Sequence, residues 1–172
     1  ADSRGSYPKI IHGSEVFELN DELRQVAMSF ARTASLEDSA AAAKNRALYS
    51  NLPGNIYHAA TLDPSILEGD VTSANVFFHG SLLCEGFEKV VKLYTSGKAE
   101  YYMTAQEDTA IMAALMRAAL QKQVEFSRII LMRAGSNFDR SYSSSEPPSI
   151  PFVLDHGGFA PACRNLYLSG LK

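Results

Sequence analysis

The stretch "AEYYMTAQEDTAIMAALMRAALQKQ", residues 99–123, changes from a strand pattern to a helix pattern within a few residues. Its first seven residues include two tyrosines and a threonine, which are residue types that strands favour. Residues 107–123 are dominated by Ala, Leu and Met, which are strong helix formers. A strand followed directly by a helix of this length is the building unit of α/β proteins.

The same alternation occurs on both sides of this stretch. Residues 68–78, "EGDVTSANVFF", predict a strand, residues 81–97 a helix, and residues 127–136, "SRIILMRAGS", a third strand. Amphipathic or Ala-rich patterns predict further helices over residues 20–34, 36–49 and 159–170. We therefore expect one α/β domain over residues 1–172, with a thin, largely parallel or mixed sheet that has an exposed edge.

Composition excludes several classes of function. The formal net charge is −3, and no cluster of Lys and Arg is present, so nucleic-acid binding through phosphate contacts is not expected. No apolar run approaches the roughly 20 residues of a membrane-spanning helix. The four histidines lack metal-ligand spacing, so neither a metal nor a bound cofactor is predicted.

Two further features concern processing and redox state. The chain begins "ADSRG", without an initiator Met or an apolar signal segment, which is typical of a processed or excised chain. Cys84 and Cys163 form either one disulfide or two buried thiols. Buried thiols are favoured because both cysteines lie among apolar residues of predicted helices.

Polar residues follow each predicted strand, and ligands of open α/β sheets bind outside the carboxyl ends of the strands. Glu107 follows the second predicted strand and has two interpretations. With Thr104 it forms the pattern of a helix capping box, which is the favoured reading of these residues alone. Its two carboxylate oxygens are also suited to accept hydrogen bonds from a vicinal diol such as that of ribose.

Ser136, Asn137 and Asp139 follow the third predicted strand. All three are common turn formers, and an Asn side chain can also read a heterocycle edge because it donates and accepts at once. Phe77 and Phe78 end the first strand, where alternate side chains point to opposite faces, so only one ring can line a pocket. The double glycine of "HGG", residues 156–158, lies in a late loop and is a weak candidate for an oxyanion element.

Six blocks of the sequence, in order, resemble blocks that members of the purine nucleoside permease family share. They run from His12 to Tyr167 and read "HGSEVFELNDELR", "GDVTSANVFFHG", "VKLYTSG", "TAQEDT", "RAGSNFD" and "ACRNLY". The strand ends are also similar to those of the wider nucleoside phosphorylase superfamily. This resemblance implies a three-layer α/β/α fold with a mixed sheet, of which the chain matches the C-terminal half.

The resemblance implies that the chain binds a purine nucleoside. Phe77 would stack on the base, Glu107 would hold the ribose hydroxyls, and Gln106 replaces a Met that packs under the sugar. Asn137 would face the purine edge, with Ser136 beside it in the base-recognition segment. The missing half of the fold would come from an N-terminal-half chain, or a homo-oligomer would cover the sheet edge. Relatives often carry a secretory signal, which favours an extracytoplasmic location.

Three functions follow, and they differ in chemistry. The first is nucleoside binding for uptake or handling. The second is cleavage of the N-glycosidic bond by phosphate, as a co-substrate, or by water, after an N-terminal half completes the fold. Asn137 stands where phosphorylases place an acid that protonates the leaving base, and an amide cannot donate that proton. Asp139 is the candidate catalytic substitute. The third is a non-catalytic lectin-like or storage protein that keeps the fold.

Overall fold

A computed structural model describes residues 16–143 and 156–172, and within them the chain is a mixed α/β structure. The start of the chain, which the sequence pattern marks as typical of a processed product, lies outside these residues. The described residues form two compact units. The first unit contains residues 16–26, 68–78 and 82–131, and the second contains residues 27–67, 79–81, 132–143 and 156–172.

Five α-helices and two strands make up the regular structure of the described ranges, together with short 3-10 turns. The helices are α1 (Asp21–Ala31), α2 (Ala40–Ala47), α3 (Ser81–Tyr94), α4 (Asp108–Leu120) and α5 (Phe159–Gly170). The strands are β1 (Asp70–Ser73) and β2 (Tyr101–Ala105). The order β1, α3, β2, α4 is the strand–helix alternation that the sequence predicts.

The two strands pair in parallel, so α3 is the crossover helix between them. Thr72 pairs with Thr104 and Ser73 with Ala105, after an irregularity at the start of β1. Consecutive strands that are parallel must be joined by such a crossover, and α3 supplies it. The α/β class that the sequence predicts is therefore confirmed, whereas the three-layer phosphorylase-like fold stays a prediction.

Strand β1 is shorter than the sequence predicts. Its last ladder bond runs from the N–H of Ala74 to the carbonyl oxygen of Ala105, at 3.0 Å. Beyond Ala105 the neighbouring strand turns into α4, so the ladder between the two strands ends there. The prediction that Phe77 and Phe78 lie within a strand is therefore wrong, because a strand extends only as far as its neighbour does.

The third predicted strand is also wrong. Residues 129–135 follow a 3-10 turn at Phe126–Arg128 and do not form a strand. Ile129 has extended dihedral angles, and side chains from Ile129 to Met132 alternate between half-buried and exposed. The alternating pattern identifies an extended segment, but no described strand pairs with it, and pairing defines a strand.

The core of the first unit lies between α3 and the residues that follow β1. Cys84 is fully buried, and the Phe78 ring stacks on Phe87 with centroids 4.0 Å apart and planes inclined by 22°. Both cysteines are free thiols, and Cys163 is exposed. The prediction of two buried thiols is thus confirmed for Cys84 and wrong for Cys163, which lies on an exposed part of α5.

The core of the second unit is organised around Tyr49, which is buried. Its ring contacts Phe138 at a centroid distance of 4.5 Å, and Tyr142 and Tyr57 approach it edge-on at 5.7 and 6.1 Å. Its hydroxyl donates to the carbonyl oxygen of Arg140 at 2.7 Å, so the buried polar atom is satisfied. The "SNFDR" segment that the sequence marks as a turn is therefore packed against a buried aromatic cluster.

Candidate functional site

The carboxyl ends of β1 and β2 lie side by side at one edge of the first unit. Ser73 is in register with Ala105, and both strands run in the same direction. Residues that follow the two strands consequently emerge at the same edge, which is where ligands of open α/β sheets bind. The structure therefore brings together two of the three strand ends on which the predicted site depends.

Ser73 connects this edge to the beginning of α4. Its Oγ accepts a hydrogen bond from the backbone N–H of Thr109, in the first turn of the helix, at 3.2 Å. First-turn amides have no partner within the helix, so a side-chain oxygen that accepts from one acts as a cap. The cap of α4 thus comes from the neighbouring strand and not from the residue that precedes the helix.

Glu107 occupies the position before the first residue of α4, and its side chain makes no capping hydrogen bond. The capping box of Thr104 and Glu107, the favoured reading of these residues, is therefore wrong. The other reading of Glu107, as an acceptor for ribose hydroxyls, stays a prediction. Oε2 of Glu107 lies 3.4 Å from the backbone N of Gln106, and both residues are exposed.

The two phenylalanines after β1 have different environments. Phe78 is 5% exposed and stacks in the core, whereas Phe77 is 40% exposed. Only one of the two rings is therefore accessible. The accessible ring is Phe77, the one that the resemblance assigns to the base, but stacking on a base remains a prediction.

The predicted base-recognition residues belong to the second unit. Ser136 and Asp139 are half-buried and Asn137 is exposed, and none of them lies in regular secondary structure. The Asp139 carboxylate is 3.7 Å from Nε of Arg140. Phe77, Gln106 and Glu107 belong to the first unit, so the convergence of all three strand ends stays a prediction.

Each unit contains an arginine that bonds carboxylates of the same unit. In the first unit, Arg24 bonds Asp21 within α1 and reaches Glu68, two residues before β1, with 2.6 Å between Nη1 and Oε2. In the second, Arg46 holds Asp38 with two hydrogen bonds of 2.9 and 2.5 Å. The hydrogen bonds from Arg46 lower the pKa of Asp38 below its ordinary value.

The double glycine Gly157–Gly158, a weak candidate on sequence grounds, makes a close backbone contact. A Cβ atom on Gly158 would lie 2.1 Å from the carbonyl oxygen of Ser136, which is far inside van der Waals contact. The glycine pair in the sequence indicates such a contact, because glycine permits the close approach of another backbone. The sequence does not indicate which backbone approaches it, since that neighbour is more than twenty residues away.

Within residues 16–143 and 156–172, no group of three or more His, Cys, Asp or Glu side chains is arranged to hold a metal ion. Among the helices of the same residues, none combines the length and the apolar character that crossing a bilayer requires.

Comparison with known proteins gives a consistent result. The model of the family described as "Purine nucleoside permease (NUP)" matches residues 1–172. A purine nucleoside permease of Candida albicans is 32% identical over 170 residues, which is 98% of this chain and 40% of the relative. A probable purine nucleoside permease of Schizosaccharomyces pombe is 30% identical over 167 residues, 95% of this chain and 46% of the relative. The chain thus spans less than half the length of these relatives, and no solved structure matches it.

Proposed function

Because the chain belongs to the purine nucleoside permease family, we propose that it provides a purine-nucleoside-binding region of a protein that takes up nucleosides. One observation carries the proposal: the paired carboxyl ends of β1 and β2 are followed by the exposed ring of Phe77 and the exposed, non-capping carboxylate of Glu107. An aromatic face can stack on a base, and a carboxylate can accept hydrogen bonds from the ribose hydroxyls.

In this proposal each residue has a distinct role. Phe77 stacks on the purine, Glu107 accepts hydrogen bonds from the two ribose hydroxyls, and Gln106 lies against the sugar. Asn137 pairs with the purine edge, and Ser136 supports it in the same segment. The fold that suits these roles is a nucleoside phosphorylase-like α/β/α domain, to which residues 1–172 contribute the C-terminal half.

The relatives are more than twice as long as the matched region, so the proposal includes a source for the rest of the fold. Among the residues that the structure describes, the sheet of the first unit has two strands, fewer than the usual four to six. We propose that an N-terminal-half chain or segment, or a second copy of this chain, adds to it.

Calorimetric titration of the purified protein with inosine and with adenosine tests the proposal. Binding of either nucleoside, with no release of free base, is the expected result. Glu107→Ala should weaken binding roughly tenfold or more, because hydrogen bonds to a charged group contribute about 1.5–3 kcal/mol. Phe77→Ala should weaken it by about 1–3 kcal/mol through loss of stacking.

Glu85→Ala is the matched control for the ribose assignment. Glu85 is also an exposed glutamate of the first unit, but it lies in α3 and does not follow a strand. Its substitution should leave the affinity unchanged. Equal affinities of the wild type and Glu107→Ala would remove Glu107 from the proposed site.

Cleavage of the N-glycosidic bond is the second candidate, and the observation that favours it is the Asp139 carboxylate two residues after Asn137. Incubation with inosine, with and without phosphate, distinguishes the two functions. Free base that appears only with phosphate identifies phosphorolysis, and release without phosphate identifies hydrolysis. If the protein neither binds a nucleoside nor releases free base, the third candidate remains, which is a non-catalytic lectin-like or storage protein.

A further inference from the structure

The segment Ser136–Arg140 has no regular secondary structure, yet its backbone is held at several points within the second unit. The N–H of Gly80 donates to the carbonyl oxygen of Asp139 at 2.8 Å. The hydroxyl of buried Tyr49 donates to the carbonyl oxygen of Arg140 at 2.7 Å. These two hydrogen bonds restrain the backbone in the C-terminal half of the segment, in the way that ladder bonds restrain a strand.

Gly158 restrains the N-terminal half. A Cβ atom at this position would lie 2.1 Å from the Ser136 oxygen and 3.0 Å from its carbonyl carbon. Real Cβ atoms do not approach a backbone this closely, so only glycine permits the observed contact. The preceding Gly157 has φ of +80°, and its carbonyl oxygen accepts a 2.7 Å hydrogen bond from Ser39, the residue that caps α2.

The glycine turn is therefore anchored to the beginning of α2 on one side and contacts the Ser136 backbone on the other. A side chain such as Asn137 discriminates between bases only if its backbone is held in place, because each hydrogen bond depends on distance and angle. Restraint before binding also reduces the entropy that binding must overcome.

We infer that Gly158 and Tyr49 are positioning residues that set the base selectivity of Asn137 by holding the Ser136–Arg140 backbone. The inference rests on the proposed function, since it concerns the discrimination between purine bases. It goes beyond that function because neither residue is expected to touch the nucleoside. Both residues act indirectly, by holding the backbone that carries the Asn137 side chain.

Titration of Gly158→Ala with inosine and adenosine tests the inference. The ratio of the two dissociation constants should change by roughly three- to tenfold, which corresponds to the net contribution of one hydrogen bond. In an Asn137→Ala background the same glycine substitution should leave the ratio unchanged, because Asn137 no longer reads the base. Gly86→Ala is the control, since a Cβ there meets no atom within 4 Å.

Tyr49→Phe keeps the test decisive if Gly158→Ala does not fold. It retains the aromatic packing and removes only the donor to the Arg140 oxygen. Its ratio should change in the same direction by a smaller factor. A wild-type ratio in every folded variant, or a change that persists without Asn137, overturns the inference.

Failure of the proposed function has a different signature. If the wild type binds neither nucleoside, the proposed function fails, and NMR of the unliganded protein then decides whether Gly158 positions Asn137. A shift of the Asn137 amide resonance in Gly158→Ala, absent in Gly86→Ala, supports positioning. Identical Asn137 resonances in both variants overturn it.

Discussion

Removal of the Ser73 hydroxyl is the most direct test of how the candidate site is built. Ser73→Ala deletes the oxygen that accepts from the Thr109 N–H at 3.2 Å and changes little else. Loss of a helix cap costs about 0.5–2 kcal/mol. Thr109 is exposed, so water partly replaces the lost acceptor, and we expect a cost of about 1 kcal/mol, in the middle of this range.

Amide hydrogen exchange measures this cost at the donor itself. Opening at the start of α4 should become about 1 kcal/mol easier, which raises the exchange rate of the Thr109 amide about fivefold. Amides in the last turn of α4 should exchange as in the wild type, because the effect of a cap is local. The nucleoside affinity should fall by less than in Glu107→Ala, because the carboxylate remains but its helix is held less firmly.

Two control variants make the test specific. Ser73→Thr keeps a hydroxyl and should restore slow exchange at Thr109. Ser50→Ala removes an exposed hydroxyl whose hydrogen bond, to the Ala47 carbonyl oxygen, lies in the second unit. It should leave Thr109 unaffected. Unchanged exchange of the Thr109 amide in Ser73→Ala would refute the assignment of Ser73 as the cap.

Three further predictions concern stability. Phe78→Ala should lower the free energy of unfolding by about 3–5 kcal/mol, since the ring is buried against Phe87, and chemical denaturation measures the change; a cost below about 1 kcal/mol would contradict this packing. Ser39→Ala should lower it by about 1–2 kcal/mol because the cap of α2 is lost, and helix content followed by circular dichroism during thermal unfolding reports it; a melting curve identical to that of the wild type would argue against the cap. The bonds from Arg46 depress the pKa of Asp38 below its ordinary 3.8, so this pair stabilises the fold above about pH 4 and its contribution disappears as acid protonates Asp38. Asp38→Asn should therefore be less stable than the wild type near neutral pH, by at most about 1 kcal/mol, and the two should converge in acid; a pH-independent difference would show that the charge pair is not the cause.

Helices were predictable from the sequence because their signals are local. The predicted terminal helix and α5 have the same bounds, residues 159–170. The helix predicted from residue 20 begins at Asp21 as α1, and Oδ1 of the preceding Asn20 accepts from the Leu23 N–H at 3.2 Å. Periodicity, caps and glycine stops depend on residues that are neighbours in the chain, so a single sequence contains them.

Strand limits were not predictable in the same way. β1 stops at Ser73 because β2 turns into α4, and the segment from Ile129 is not a strand because no described strand pairs with it. Both outcomes depend on a partner that is distant in sequence. Alternation of apolar and polar residues predicts which segments can adopt an extended conformation, whereas pairing with a neighbour decides whether such a segment is a strand.

The position of one candidate residue was predictable, whereas the tertiary contacts around the site were not. Glu107 was expected directly after the second strand, and β2 ends at Ala105, two residues before it. Phe77 was expected within the first strand, which ends at Ser73. The cap from Ser73 to Thr109 and the contact of Gly158 with Ser136 join residues far apart in sequence. Such contacts are tertiary, and no local pattern specifies them.

The way in which the segments of the two units alternate along the chain has a consequence for folding and for the use of fragments. Neither unit is continuous in the chain, since residues of each alternate with residues of the other. The first unit requires residues on both sides of the 27–67 insertion, so during synthesis it cannot be completed until residue 131 has left the ribosome. A truncated chain that ends between the two halves of either unit would expose its core and aggregate, and no single cut releases a unit intact. Deletion mapping of this chain should therefore remove small loops and leave both sets of segments in place.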